Sequence, residues 1–163
     1  MTPEDQELLE ALSTPLEHGL LTVAEEPTPL LLALEQAFPF EANRLAWWLV
    51  PGAVAETAPH IQGAPKTWAA DARAFAGFLE RIAGAHGLAG NVAVLGDGFV
   101  EVAVLGELVD VISHIPIIAS FPQHTYVFPF PVVSWAAGLS MEGEMHFAHA
   151  PPTNNQEAHI PTR

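Results

Sequence analysis

The chain has 163 residues, the usual size of a single domain, and half of these residues are hydrophobic. Nineteen Asp and Glu residues face five Lys and Arg residues, which gives a formal net charge of −14. This charge argues against direct binding to nucleic acids, because affinity for a phosphate backbone depends on clustered cations. The sequence has no cysteine, which excludes disulfides and thiolate metal sites, and no apolar run approaches the length of a membrane span.

These features predict one domain over residues 1–150 and a flexible tail over residues 151–163. The acidic N-terminus lacks the basic start and the apolar stretch of a signal peptide, so we expect a cytoplasmic protein. We expect no cofactor, because the chain has no glycine-rich phosphate cradle and Lys66 is its one lysine.

The first half of the chain has the pattern of helices. Thr2 and Pro3 supply a capping hydroxyl and a proline at the first helical position, and Thr28 with Pro29 repeats this signal. The segment 41–50 also favours a helix, with a buried strand as the alternative, and a loop is expected over 51–65. The clearest helix is 67–86, where large apolar side chains recur at helical spacing.

After Gly90 the pattern changes to that of β-strands with short turns. The predicted strands are 91–95, 99–104, 123–128, 132–140 and 144–148, and a helix is predicted over 106–114. Residues 141–143 form the last hairpin turn. The predicted fold class is therefore α+β, with N-terminal helices packed on a mostly antiparallel C-terminal sheet.

The C-terminal strands contain residues that are suited to acid–base chemistry. His124 and Tyr126 share one strand face, and Asp97 and Glu142 fall in turns near that face. In a small enzyme or ligand-binding domain, His124 would act as the general base and Tyr126 as a hydrogen-bond donor. Asp97, Glu142 or Glu144 would orient the imidazole. The competing interpretation is that turn carboxylates only make local hydrogen bonds, which is common.

A metal site is an alternative for the same region. His146 and His149 are three residues apart, so on a strand they point to opposite faces and do not share a metal. A set on one face consists of His124, Glu144 and His146, a combination that suits zinc or non-haem iron. The spacing is much looser than that of zinc motifs, so we expect scattered histidines and no metal.

The acidic residues suggest a function that needs no catalysis. Nine acids and no Lys or Arg precede Arg44. Such a surface would steer a basic protein partner to the chain, and an exposed tryptophan would anchor it. On a helix, Trp47 and Trp48 would point about 100° apart, so one of them would be partly exposed. The competing interpretation is that the charge only keeps a hydrophobic chain soluble. The candidate contact residues are Glu4, Asp5, Glu7, Glu25, Glu26, Glu41, Trp47 and Trp48.

Part of the chain resembles a pattern in small uncharacterised bacterial proteins. The pattern consists of Pro-Gln-His-Thr-Tyr at 122–126, Trp135, Met-Glu-Gly-Glu at 141–144 and Phe147, together with the Gly-Asp turn at 96–97. The resemblance covers roughly residues 91–149 and implies no particular activity. In size and acidity the chain is similar to immunity proteins of bacterial toxin systems, an analogy that implies an inhibitor masking a basic toxin.

Overall fold

The computed structural model describes residues 1–59, 68–97, 100–122 and 124–152. The predictions for residues 60–67, 98–99, 123 and 153–163 lie outside the described residues. These predictions include the end of the loop at 51–65, the start of the strand at 99 and most of the tail.

Within the described ranges the chain forms five α-helices and nine β-strands. The helices are α1 (Pro3–Ala11), α2 (Ser13–Glu17), α3 (Thr28–Ala37), α4 (Trp68–His86) and α5 (Leu108–Ile118). The strands are β1 (Leu21–Ala24), β2 (Phe40–Glu41), β3 (Arg44–Leu45), β4 (Val54–Thr57), β5 (Asn91–Gly96), β6 (Ala103–Glu107), β7 (Thr125–Pro129), β8 (Trp135–Leu139) and β9 (Glu144–His149). None of the described helices is long and apolar enough to cross a membrane.

Seven of the strands form one antiparallel sheet in the order β1-β6-β5-β7-β8-β9-β4, and β2 and β3 form a separate hairpin. The α+β class is therefore confirmed, with most of the sheet built from the second half of the chain. The first half also contributes to this sheet, because β1 and β4 form its two edges.

The two faces of the sheet are covered by different layers, because side chains alternate along each strand. Val94, Val127 and Phe147 belong to a core shared with α1, α4 and α5. Leu95 and Tyr126 belong to the core of the other face, which α3 and the β2–β3 hairpin cover. This second layer is incomplete, and a cavity opens beside the hairpin.

The segment 41–50 does not form the predicted helix. Part of it pairs in the β2–β3 hairpin, and Trp47–Leu49 forms a short 3₁₀ helix. The hairpin turns at Ala42 and Asn43, whose φ angles of 51° and 64° are both positive, as a two-residue type I′ turn requires. Such turns are usually signalled by Asn-Gly or Asp-Gly, so the Ala-Asn pair gave no hairpin signal in the sequence.

Other elements agree with the sequence analysis to different degrees. The helix at 67–86 is confirmed over its described part as α4. The helix predicted at 106–114 begins at Leu108 and continues to Ile118, even though Pro116 lies within it. Two short edge strands were not predicted: β1, and β4 inside the expected loop. Each has only four residues, which is too short to show a clear alternation.

Asp5 fixes α1 to the chain that enters β6. Its Oδ2 accepts a hydrogen bond from the backbone N–H of Thr2 at 2.9 Å, and the Thr2 hydroxyl accepts one from the N–H of Asp5. Its Oδ1 accepts bonds from the N–H groups of Glu101 and Val102 at 2.9 and 3.2 Å. Burial acts to raise the pKa of Asp5, but these donors outweigh it and lower the pKa. Asp5 is fully buried, so its prediction as a partner contact is wrong.

The substitution Asp5→Asn replaces one of these acceptor oxygens with a donor, and we expect it to lower the free energy of unfolding by about 1–3 kcal/mol. Because the pKa of Asp5 is lowered in the folded state, this stabilisation is present above 3.8, the ordinary pKa of an aspartate, and is lost as the pH falls through the folded-state pKa. Urea unfolding at about pH 7 and about pH 2 measures both effects. Glu7→Gln makes the same charge change on an exposed side chain and should alter stability by less than about 0.5 kcal/mol. Equal losses in the two variants would contradict this role of Asp5.

Candidate functional site

A cavity of about 640 Å³ opens on the face of the sheet that the β2–β3 hairpin covers. We call it the hairpin cavity: its walls come from the hairpin and the 3₁₀ helix, and its floor from β7, β8 and β9. Tyr126, Gly138 and His146 lie side by side across these three strands. Because directly opposed residues share one face of a sheet, these three residues form the centre of the floor.

Gly138 allows Trp47 to approach the sheet closely. A Cβ atom at position 138 would lie only 2.8 Å from Cζ2 of Trp47 and 3.3 Å from Cδ1 of Tyr126. The Trp47 ring also stacks on the His146 imidazole, with 5.1 Å between the ring centroids and 7° between the planes. Trp47 is therefore a half-buried wall of the cavity, whereas the neighbouring Trp48 is 69% exposed at its edge.

Tyr126 holds the hairpin over the sheet. Its phenolic oxygen accepts a hydrogen bond from the backbone N–H of Leu45 at 3.3 Å, and its ring contacts that of Phe40. Burial raises the pKa of Tyr126, and the hydrogen bond from Leu45 only partly offsets this effect. The hydroxyl is therefore protonated at neutral pH, and its proton remains available for donation to a bound group.

Asp97 fixes the position of His124, which lies just before β7. Oδ1 of Asp97 accepts the backbone N–H of His124 at 2.6 Å, and the Asp97 N–H donates to the His124 carbonyl at 3.1 Å. Oδ2 lies 3.2 Å from Nδ1 of the imidazole, which is within ion-pair distance but lacks hydrogen-bond geometry. The His124 side chain is only 6% exposed. In the described ranges, Nδ1 of this buried ring has no hydrogen-bond partner.

His146 and Glu144 form a second imidazole–carboxylate pair on the same face. Nε2 of His146 lies 3.3 Å from Oε2 of Glu144. Burial lowers the pKa of His146, and the Glu144 carboxylate offsets part of this shift. The stacked ring is therefore neutral at neutral pH, so it does not cancel the charge of its carboxylate neighbour.

Carboxylates outnumber cations around the hairpin cavity. Among the described lining residues, Glu41, Glu142 and Glu144 are acidic and Arg44 is the one permanent cation. The backbone N–H of Glu142 lowers the pKa of its own carboxyl group, and the Ser140 hydroxyl and nearby positive charge lower it further. Glu142 is therefore ionised at neutral pH, and the potential in the cavity favours positively charged groups.

The structure brings the predicted acid–base residues together. His124, Tyr126 and Glu142 line the hairpin cavity, and Asp97 contacts His124. Periodicity alone did not indicate Arg44 as a member of this site, because the hairpin that positions it was not predicted.

The structure also places the residues of the alternative metal site, His124, Glu144 and His146. All three line the hairpin cavity. However, the described ranges contain no group of three or more His, Cys, Asp and Glu side chains that could hold a metal ion. His149 points to the opposite face of the sheet, where its ring lies beside that of His86, as the strand period predicts.

The predicted acidic contact residues are divided between the two faces of the sheet. Glu41 lines the hairpin cavity, and Glu25 and Glu26 line a second cavity of about 580 Å³ on the same face. Glu4 and Glu7 belong to α1, which packs on the opposite face. These residues therefore do not all lie on one face of the sheet.

Comparisons of the chain with protein-family models, curated proteins and solved structures give no match. The support for a function therefore comes from the side chains of the cavity itself.

Gly138→Ala places a methyl group where Trp47 now lies, so we expect Trp47 to lose its stacking on His146. The tryptophan emission should shift to longer wavelength, and the free energy of unfolding should fall by about 1–3 kcal/mol, as overpacking typically causes. Fluorescence and urea unfolding measure the two effects. Gly77→Ala in α4 is the control: its Cβ meets nothing within 4 Å, and we expect it to stabilise the helix by about 0.5–1 kcal/mol. Unchanged emission in Gly138→Ala would contradict the close packing of Trp47.

Proposed function

We propose that this protein is a non-enzymatic binding protein that recognises a basic protein partner through the face carrying the hairpin cavity. The main supporting observation is the highly exposed Trp48 at the edge of a cavity in which carboxylates outnumber cations. An aromatic anchor provides buried contact area, and surrounding charges of one sign select a partner of the other sign.

The apolar part of this surface consists of Trp48, Leu49 and Val54. Their side chains are 69%, 51% and 47% exposed, and Trp48 and Val54 both line the cavity. A tryptophan buries a large area when a partner covers it, and it loses little conformational entropy because it has few rotatable bonds. Trp48 and Val54 therefore place exposed apolar surface on the cavity, beside its carboxylates, where a protein partner can cover it.

The acidic part of the surface attracts the partner before contact. Glu25, Glu26 and Glu41 line the two cavities on this face, and the whole chain carries a formal net charge of −14. Such a charge raises the rate of association with a basic protein, and this effect weakens as salt screens the charges.

We propose that the specific form of this function is that of an immunity protein or inhibitor that masks a basic toxin. A masking protein needs no reactive group, because carboxylates that cover the cationic substrate-binding residues of an enzyme block its activity. The size and acidity of the chain, which are similar to those of immunity proteins, support this form of the proposal.

Capture from native lysate with immobilised protein, followed by mass spectrometry, tests the proposal. We expect one stoichiometric partner with a basic isoelectric point, released when the salt concentration rises from about 0.05 to about 0.5 M. Trp48→Ala should weaken its binding at least roughly tenfold, as the loss of an interface hot spot does. Val109→Ala should have no effect, because this residue is 67% exposed on α5, on the other face. An acidic partner, or equal capture by the two variants, would contradict the proposal.

The pairing of Asp97 with the buried His124 favours a second candidate function, a small enzyme or ligand-binding domain. The Asp97 carboxylate faces Nδ1 of the imidazole at 3.2 Å, so a proton on Nδ1 would leave the lone pair of Nε2 to act as a base. Tyr126 lines the same cavity and retains a proton that it can donate. These residues can therefore take a proton from one atom of a small ligand and donate a hydrogen bond to another.

A thermal-shift screen of small metabolites, including amines, carboxylates and phosphates, tests this second function. The expected result is a compound that raises the melting temperature of the wild type and of His18→Gln but not that of His124→Gln. His18 is exposed, so its variant controls for the loss of a histidine. If no compound separates His124→Gln from the control, the second function is contradicted.

A further inference from the structure

We infer that the hairpin cavity receives an arginine side chain of the basic partner, an assignment that rests on the function proposed above. The guanidinium would lie between the aromatic wall formed by Trp47 and Trp48 and the carboxylates of Glu142 and Glu144.

The first support for this occupant is the sign of the charge together with the aromatic wall. The described residues that line the cavity include three glutamates and one arginine. Two indole rings and the Tyr126 phenol line the same space. A cation is attracted both by carboxylates and by the negative faces of aromatic rings, whereas an anion is repelled by both.

The second and independent support is the imidazole of His124. The His124 side chain is only 6% exposed, and it lines the cavity. Its Nδ1 is buried and has no hydrogen-bond partner in the described ranges. Nδ1 faces the Asp97 carboxylate at 3.2 Å, so a proton on Nδ1 would leave Nε2 as a hydrogen-bond acceptor. An N–H group of a bound guanidinium would then donate to Nε2.

The distribution of acceptors favours arginine over lysine. The acceptor groups come from three places around the cavity: His124 before β7, Glu142 in the β8–β9 turn and Glu144 at the start of β9. A guanidinium has five N–H donors spread in a plane, so it can bond acceptors on several sides while its face stacks on an indole ring. The ammonium group of lysine is a compact, strongly hydrated charge that cannot stack in this way.

The volume of the cavity is consistent with this occupant. About 640 Å³ lies within the range of sites that enclose whole ligands, so the cavity has room for the side chain together with the adjacent backbone. Arg44, the one cation among the described lining residues, lies on the hairpin across the strand pair from Glu41. The three glutamates of the lining outnumber this single positive charge, so the described lining still favours an incoming guanidinium.

Titration of the isotope-labelled protein with N-acetyl-argininamide, followed by NMR of the indole N–H groups, tests the inference. We expect saturable shifts of Trp47 and Trp48 and none of Trp135, which is buried in the core of the opposite face. The corresponding lysine derivative should bind roughly three- to tenfold more weakly, because it cannot stack. The neutral citrulline derivative, which keeps the shape but not the charge, should cause no shift.

Matched charge variants locate the binding site within the protein. Glu142→Gln should weaken binding of N-acetyl-argininamide at least roughly threefold, as the loss of one nearby charge at the surface does. Glu10→Gln, on the exposed side of α1, removes the same charge on the opposite face and should leave binding unchanged. The inference is overturned if the citrulline derivative binds as tightly as the arginine derivative, if the two variants bind equally, or if no indole shift occurs.

The outcome of this titration is separable from that of the capture experiment. A basic partner that depends on Trp48, combined with no response to N-acetyl-argininamide, overturns the arginine assignment and leaves the proposed function standing. Binding of N-acetyl-argininamide without a protein partner supports the cation-binding chemistry of the cavity and overturns the protein-masking function.

Discussion

The sheet buries residues on both of its faces, so each face must be covered, and the two coverings differ. Helices α1, α4 and α5 pack on one side and share a large apolar core with the sheet. The other side depends on α3 and a two-stranded hairpin, which is held by the Leu45–Tyr126 hydrogen bond and by the fit of Trp47 over Gly138. This layer leaves a cavity over β7, β8 and β9, and polar residues of these strands and their ends line it. The existence of the cavity follows from this difference between the two layers.

The same packing decides the charge of the groups around the cavity. His146 is kept neutral because it is half-buried and stacked on Trp47, although a carboxylate lies beside it. Glu142 is kept ionised by its backbone N–H group and by the Ser140 hydroxyl. A neutral imidazole and a charged carboxylate on one surface leave the cavity negative, even though histidines are among its main polar residues. The number of histidines in the sequence therefore does not indicate the charge of the cavity.

The sequence predicted what depends on local periodicity and missed what depends on unusual local geometry. The period of two correctly placed Glu144 with His146, and His149 on the opposite face. The hairpin could not be predicted in the same way, because its turn uses Ala42 and Asn43 at positive φ instead of the usual glycine. The sequence does not distinguish an acid that caps a helix from one that is exposed on the surface, so the burial of Asp5 could not be predicted. The backbone N–H groups of Glu101 and Val102, which bind its carboxylate, are almost a hundred residues away in the sequence.

The charge of the lining bears on which occupant this cavity favours. When a base such as His124 removes a proton from a neutral substrate, negative charge develops on the substrate, and nearby donors stabilise this charge. In the described lining, Arg44 and Tyr126 can act in this way, but three glutamates surround them and oppose an anion. For a cationic side chain the effect is the opposite. The glutamates would attract it, and the His124 imidazole would accept a hydrogen bond from one of its N–H groups. This contrast is the reason why we propose recognition of a basic partner ahead of catalysis.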